Sequence, residues 1–156
     1  MPDDNPLFEL EHRHHPLPLD SARPEHFVPA LDLALERARR NIHAITAQDA
    51  PPTFENTVMT LEASDEWADR ISSVFFHLLQ VDSSDEMQAL AREIPPKLSE
   101  FRNDVVLNPD LYARLNALYE QRDRLDLDPE QAMVLENHVQ SFRRNTLDTE
   151  LAAAAW

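Results

Sequence analysis

The sequence predicts an all-α protein: an antiparallel bundle of about five to seven helices with short loops, preceded by a Pro-rich extended N-terminal arm. Three observations carry this. The 156 residues include no glycine, where about 7% is usual. Glycine is the default residue for positive φ, which tight β-hairpin turns require, whereas helices joined by Asp, Asn, Ser and Pro need none. Apolar residues recur at helical spacing through most of the chain. Between these stripes stand helix-start signals, a Ser, Thr, Asp or Asn followed by Pro or by Glu/Gln three residues on.

The length suits one domain, and a hydrophobic fraction of 42% supports a real core. The expected organisation is an arm over residues 1–22, packed on or leading into a helical domain over residues 23–156. In the arm, Pro2, Pro6, Pro16 and Pro18 interrupt any period, and Leu7, Phe8, Leu10, Leu17 and Leu19 are available to pin it. The competing state for this stretch is disorder.

The first helix is expected at about 24–48, with Pro24 in its first turn and the stripe Leu31, Ala34, Leu35, Ala38, Ile42 and Ile45. Asp49-Ala-Pro-Pro52 closes it. Thr53 caps the next helix, whose face is Phe54, Val58 and Leu61, and Ser64-Asp65 marks a joint. The central helix follows over Trp67–Asp82, with Trp67, Ile71, Val74, Phe75, Leu78 and Val81 facing the core. It concentrates aromatic surface, each such side chain burying roughly 150–250 Å².

Ser83-Ser-Asp-Glu86 reads as a capping box with Ser83 as the cap. The helix behind it presents Met87, Leu90, Ala91, Ile94, Leu98, Phe101 and Val105. Pro95-Pro96 sits in its middle, where a kink is expected without a stop, because the stripe keeps its phase on both sides. Asn108-Pro109 opens a helix with Leu111, Leu115, Leu118 and Tyr119. Asp128-Pro-Glu-Gln131 opens the last, with Ala132, Leu135, Val139 and Phe142. The helix-favouring tail from Leu147 stops at Trp156 with no cap or turn, which reads as an imposed end such as a truncated reading frame.

The formal net charge of −15 opposes a phosphate backbone or an anionic membrane as partner. No apolar run approaches the roughly 18 residues of a spanning helix. The N-terminus lacks the basic and apolar regions of a signal peptide. Without cysteine, disulfides, thiolate chemistry and Cys-ligated zinc are excluded. A cytoplasmic location is the expectation.

Chemistry-bearing motifs are missing. His-Glu-x-x-His does not occur, and glycine-dependent phosphate loops, nucleophile elbows and dinucleotide fingerprints cannot. His12, His14 and His15, beside Glu9 and Glu11, form one His cluster. On an extended arm His12 and His14 share a side and His15 does not, so a solvated polar segment is favoured over a metal site. His26, His43, His77 and His138 are isolated, and His77 is expected at the edge of the core. Asp3-Asp4 and Glu9/Glu11 are the acidic pairs of the arm. Asp65-Glu66 and Asp85-Glu86 fall at helix N-termini, where carboxylates complement the macrodipole. Arg143-Arg144 is read as the same effect at a C-terminus, and Arg114, Arg122 and Arg124 as a solvated face.

Specific words of the sequence go further than composition. Asn5-Pro-Leu-Phe8, Arg23-Pro-Glu-His-Phe-Val-Pro-Ala30, Pro52-Thr-Phe-Glu-Asn-Thr57 and Leu61-Glu62 occur in order. Arg70-Ile-Ser-Ser-Val-Phe-Phe76, Asp85-Glu-Met-Gln88 and Val106-Leu-Asn-Pro-Asp-Leu-Tyr-Ala-Arg114 follow. Together they resemble the N-terminal region of the thimet oligopeptidase family of zinc metallopeptidases, most of all its bacterial dipeptidyl carboxypeptidase branch, over about residues 5–144. The pattern departs at Arg143-Arg-Asn-Thr146 and at Ser64-Asp65, where the family commonly has Ser-Gly.

The resemblance implies an all-α protein several times longer, whose halves flank a channel for short peptides. In it a His-Glu-x-x-His helix and a downstream Glu bind zinc and activate water. None of those residues falls within this chain, so no catalytic, cofactor-binding or metal-binding residue is assigned, and zinc is implied only for a full-length member. The expectation is a channel-wall domain inactive by itself, with short peptides or the missing catalytic domain as partners. The alternative is a stand-alone helical module that binds a peptide or protein, or a second copy of itself through exposed apolar surface.

Overall fold

The computed structural model describes the backbone of residues 4–154, and their side chains outside 147–152. Six α-helices are found among the described residues: α1 (Pro24–Ala47), α2 (Thr60–Ala63), α3 (Glu66–Leu79), α4 (Asp85–Val106), α5 (Pro109–Glu120) and α6 (Pro129–Ala154). No strand occurs among them. The all-α expectation holds. Its glycine argument holds too: no described residue has positive φ. Helices end instead on residues such as Gln80 (φ −69°, ψ −26°) and Gln121 (φ −99°, ψ 5°), which any side chain tolerates.

The contacts divide the chain into two compact units. One comprises the residues up to Arg40 with Ala63–Phe101, and the other Asn41–Glu62 with the residues from Arg102 onward. The boundaries fall within α1, α2 and α4.

In the first unit, α1 contributes Phe27, Leu31, Ala34, Leu35 and Ala38 to the core, and α3 contributes Ala68, Ile71, Val74 and Phe75. Phe27 and Phe75 meet edge to face at 5.4 Å. From α4, Met87, Leu90, Ile94, Leu98 and Phe101 are buried. The segment before α1 makes a 3-10 turn at Phe8–Glu11 that packs on α3, and Leu7 and Leu10 are fully buried there. Leu17 is exposed.

Two expectations are corrected here. The central helix stops at Leu79, and its N-terminal side begins at Glu66. Val81 therefore sits in a turn and is 76% exposed; the apolar period simply outruns the helix. The cap of α4 is Ser84, whose Oγ accepts from Met87 N at 3.3 Å, while Asp82 Oδ1 accepts from Ser84 N at 2.9 Å. The cap is thus one residue later than expected, and Asp82, not a residue of the helix, satisfies the Ser84 amide. By contrast, Pro95 and Pro96 lie inside an unbroken α4, without a stop as expected.

In the second unit, the segment Phe54–Met59 is π-helical and runs into α2. Phe54, Val58 and Leu61, the face expected of a helix here, are all buried, so the burial face survives the wider winding. Thr53 caps as expected, in a box with Asn56: Thr53 Oγ1 accepts from Asn56 N at 3.0 Å and Asn56 Oδ1 accepts from Thr53 N at 2.8 Å. Asn108 Oδ1 accepts from Asp110 N and Leu111 N, each at 3.1 Å, and starts α5. Asp128 and Gln131 form the expected reciprocal box at 2.8 and 3.1 Å. Each such cap is worth about 1 kcal/mol. Leu111, Leu115 and Leu118 of α5 pack with Leu135, Val139 and Phe142 of α6, and all are buried. Ala132 is exposed instead. The tail forms helix to Ala154, whereas Trp156 lies outside the described residues.

Candidate functional surface

No group of three or more His, Asp and Glu side chains that could hold a metal ion forms among the described residues. His12 and His14 are exposed and His15 is half-buried. What holds this segment is its main chain: the Arg70 guanidinium on α3 donates to the carbonyls of Leu10 (3.2 Å), His12 and His15. Trp67 Nε1 donates to Leu7 O at 3.0 Å, and Phe8 meets the Trp67 ring at 6.5 Å. Glu11 pairs with Arg37, and Glu66 with Arg13. Asp3 lies outside the described residues.

The isolated histidines do not converge. His26 Nδ1 accepts from Arg23 N at 3.0 Å, at the start of α1. His43 and His77 are exposed, so His77 is not at the edge of the core as expected. It lies on the outer side of α3 beside Phe76, which is itself 41% exposed. His138 pairs with Glu62. Asp85, Glu86 and Glu66 do fall in the first turns of their helices.

Arg122 and Arg124 are exposed as expected, whereas Arg114 and Arg143 depart from the expectation. Arg114 is half-buried: Nη1 donates to Ala50 O at 3.1 Å and Nη2 to Asn56 Oδ1 at 3.3 Å, and its buried Nε has no partner. Asn56 Oδ1 also accepts from Thr57 Oγ1 at 2.8 Å, and Asn56 Nδ2 donates to Pro51 O at 3.0 Å. One amide side chain thereby gathers the Pro51–Thr57 segment and α5. The only available signal was the Thr53-x-x-Asn56 capping pattern.

Arg143 lies well inside α6, so the reading of a helix C-terminus fails: α6 runs on to Ala154. Its Nε donates to Tyr112 Oη at 3.2 Å and its Nη2 to Asn116 Oδ1 at 3.0 Å. The hydrogen bond to Tyr112 raises the affinity of this guanidinium for its proton above the ordinary arginine range. Its Cζ stands 5.2 Å from the Tyr119 ring centroid. Arg122, in the 3-10 turn Arg122–Arg124 behind α5, folds back on the same ring at 4.1 Å, and its Nη1 donates to Tyr119 O at 2.7 Å. Tyr112, Asn116 and Tyr119 are spaced 4 and 3 apart and share a helical face. Tyr112 stacks on Phe142 at 6.1 Å. This aromatic and cationic surface of α5 and α6 can recognise an anion or a planar group. It offers no nucleophile–base pair and no cluster of metal ligands.

No family model matches the sequence. Curated relatives do match it. The chain is 36% identical over 123 residues to the dipeptidyl carboxypeptidase of Escherichia coli, covering 79% of this chain and 18% of that protein. It is 34% identical over 139 residues to the dipeptidyl carboxypeptidase of Salmonella typhimurium, covering 88% of this chain and 20% of the relative. Against oligopeptidase A of Escherichia coli the identity is 33% over 141 residues, with 88% and 20% covered. The chain thus spans 18–20% of the length of these relatives. Over 79–88% of its own length it is homologous to dipeptidyl carboxypeptidase and oligopeptidase A, and through them it belongs to the thimet oligopeptidase family.

Proposed function

We propose that this chain is the N-terminal, non-catalytic helical region of a dipeptidyl carboxypeptidase-like metallopeptidase, forming one wall of the channel that admits short peptides. The carrying observation is the asymmetry of coverage: 79% of this chain matches only 18% of the relative. The absence of His-Glu-x-x-His from the sequence supports a scaffold role. In this reading zinc belongs to the catalytic remainder, the working partners are that remainder and short peptides, and the location is cytoplasmic. Nucleic acid and anionic membranes are not partners in this reading, since the charge of −15 opposes both.

The test is to incubate the chain with an oligopeptide and zinc and to follow dipeptide release by mass spectrometry. The expected result is no release, and zinc-dependent turnover by the chain alone would overturn the reading.

Exposed apolar side chains favour a second reading. Met133 is 63% and Met59 is 53% exposed in one unit, and Val81 is 76% exposed in the other. A stand-alone module would cover such side chains with a peptide, a protein or a second copy of itself. Sedimentation at micromolar concentration decides between the two: a dimer supports the module, and a strict monomer without peptide affinity removes it.

A further inference from the structure

We propose that Arg122 and Arg143, converging on the Tyr119 ring, form a carboxylate-binding site on the second unit. This goes beyond the channel-wall reading and does not depend on it. The two guanidinium carbons stand 4.1 and 5.2 Å from the same ring centroid. Each cation gains from the ring face, but the pair repels itself.

Several other cations of the described chain are matched by carboxylates, while Arg70 and Arg114 are held by carbonyls and an amide. Arg13 takes Glu66, Arg37 takes Glu11, Arg40 takes Glu36 and Lys97 takes Asp32. Neither Arg122 nor Arg143 has a carboxylate within ion-pair distance among the described side chains. This holds in a chain of 29 acidic and 14 basic residues. Glu120 lends its field to Arg143 but is held by Asn116 Nδ2 at 3.3 Å.

The site is positioned in advance. Tyr112 and Asn116 orient the Arg143 fork through Nε and Nη2, and neither bond uses Nη1. Arg122 is anchored by the carbonyl and the ring of Tyr119 and is otherwise exposed. A carboxylate bridging the two would collect charge-assisted bonds from both and cancel their repulsion.

The experiment follows the Arg143 Nε–H resonance of the full chain by NMR at low ionic strength. The probes are acetate, inorganic phosphate, a short neutral peptide with a free C-terminus and the same peptide as its amide. The expected result is a saturable shift with acetate and the free-acid peptide, none with the amide, and loss of the shift in Arg122→Gln. A phosphate response alongside acetate supports the site as a reader of oxyanions in general, whereas phosphate alone overturns a carboxylate site. An equal shift with the amide, with chloride at matched ionic strength, or undiminished in Arg122→Gln overturns the proposal. Arg143→Lys keeps the charge and removes the fork; wild-type acetate affinity in that variant, read by calorimetry, overturns it as well.

Discussion

Arg114 Nη2 lies 3.3 Å from Asn56 Oδ1, a bond between residues 58 apart in sequence. The same oxygen completes the Thr53 capping box. Local helix initiation and the seating of α5 therefore share one atom. Asn56→Ala should cost about 1–2 kcal/mol, the scale of a lost cap, with a further loss from stranding Arg114. The double variant Asn56→Ala/Arg114→Met should be less destabilised than the sum of its singles by at least about 0.5 kcal/mol. Urea unfolding followed by circular dichroism measures this; strict additivity would show that the two residues do not cooperate.

Arg70 is the clasp of the segment before α1, since it reaches three main-chain carbonyls of Leu10, His12 and His15. Arg70→Met keeps the aliphatic stem and removes every donor. Bonds to a charged donor contribute about 1.5–3 kcal/mol together with the desolvation they offset. Amide exchange in residues 7–15 should accelerate by at least roughly tenfold, which corresponds to about 1.4 kcal/mol, while exchange in α5 stays put. Unchanged protection of Leu10 and His12 would sink the assignment.

Phe75 and Phe76 are adjacent and in edge contact at 5.1 Å, yet one is fully buried and the other 41% exposed. Phe75→Ala should destabilise by about 3–5 kcal/mol through the cavity it leaves against Phe27. Phe76→Ala should cost below about 1 kcal/mol. Thermal or urea midpoints of the two variants separate them, and equal losses would mean that α3 is rotated from the orientation described here.

Lys97 and Asp32 form a surface pair at 2.8 Å between α4 and α1. The bond to Asp32 raises the Lys97 pKa above its ordinary 10.5. A raised folded-state value means that the pair contributes fully below the unfolded value and is lost as pH rises through the folded one. The contribution is small, about 0.2–1 kcal/mol for an exposed pair. Between pH 9 and strongly alkaline pH, wild type should lose that much more stability than Lys97→Met. Parallel pH profiles of the two would contradict the pairing.

Much of the fold was legible because helix stripes and caps are local. Leu31 to Ile45 announces α1 by spacing alone, and the Thr53, Asn108 and Asp128 caps are chemistry within three residues. Errors arose where a local pattern had more than one outcome. The apolar period continues to Val81 although the helix stops at Leu79, and Ser83 and Ser84 are equivalent as caps until the Asp82 turn chooses between them. The words that marked the family also turn out to be partners. Asn5 Nδ2 donates to His26 O at 2.8 Å, and Asn56 meets Arg114.

The sequence by itself determined the all-α class, the stripes, most of the caps and the kinship with a peptidase family. Each of these follows from neighbours within a turn or two of helix, or from the order of short words. Only the tertiary structure decided what the arginines do. In the sequence Arg114 reads as a solvated cation, Arg143 as a helix C-terminal one and Arg70 has no structural assignment, because a guanidinium on a long flexible stem takes its role from carbonyls, amides and rings far away in sequence. Those partners are brought within 3.3 Å only by packing.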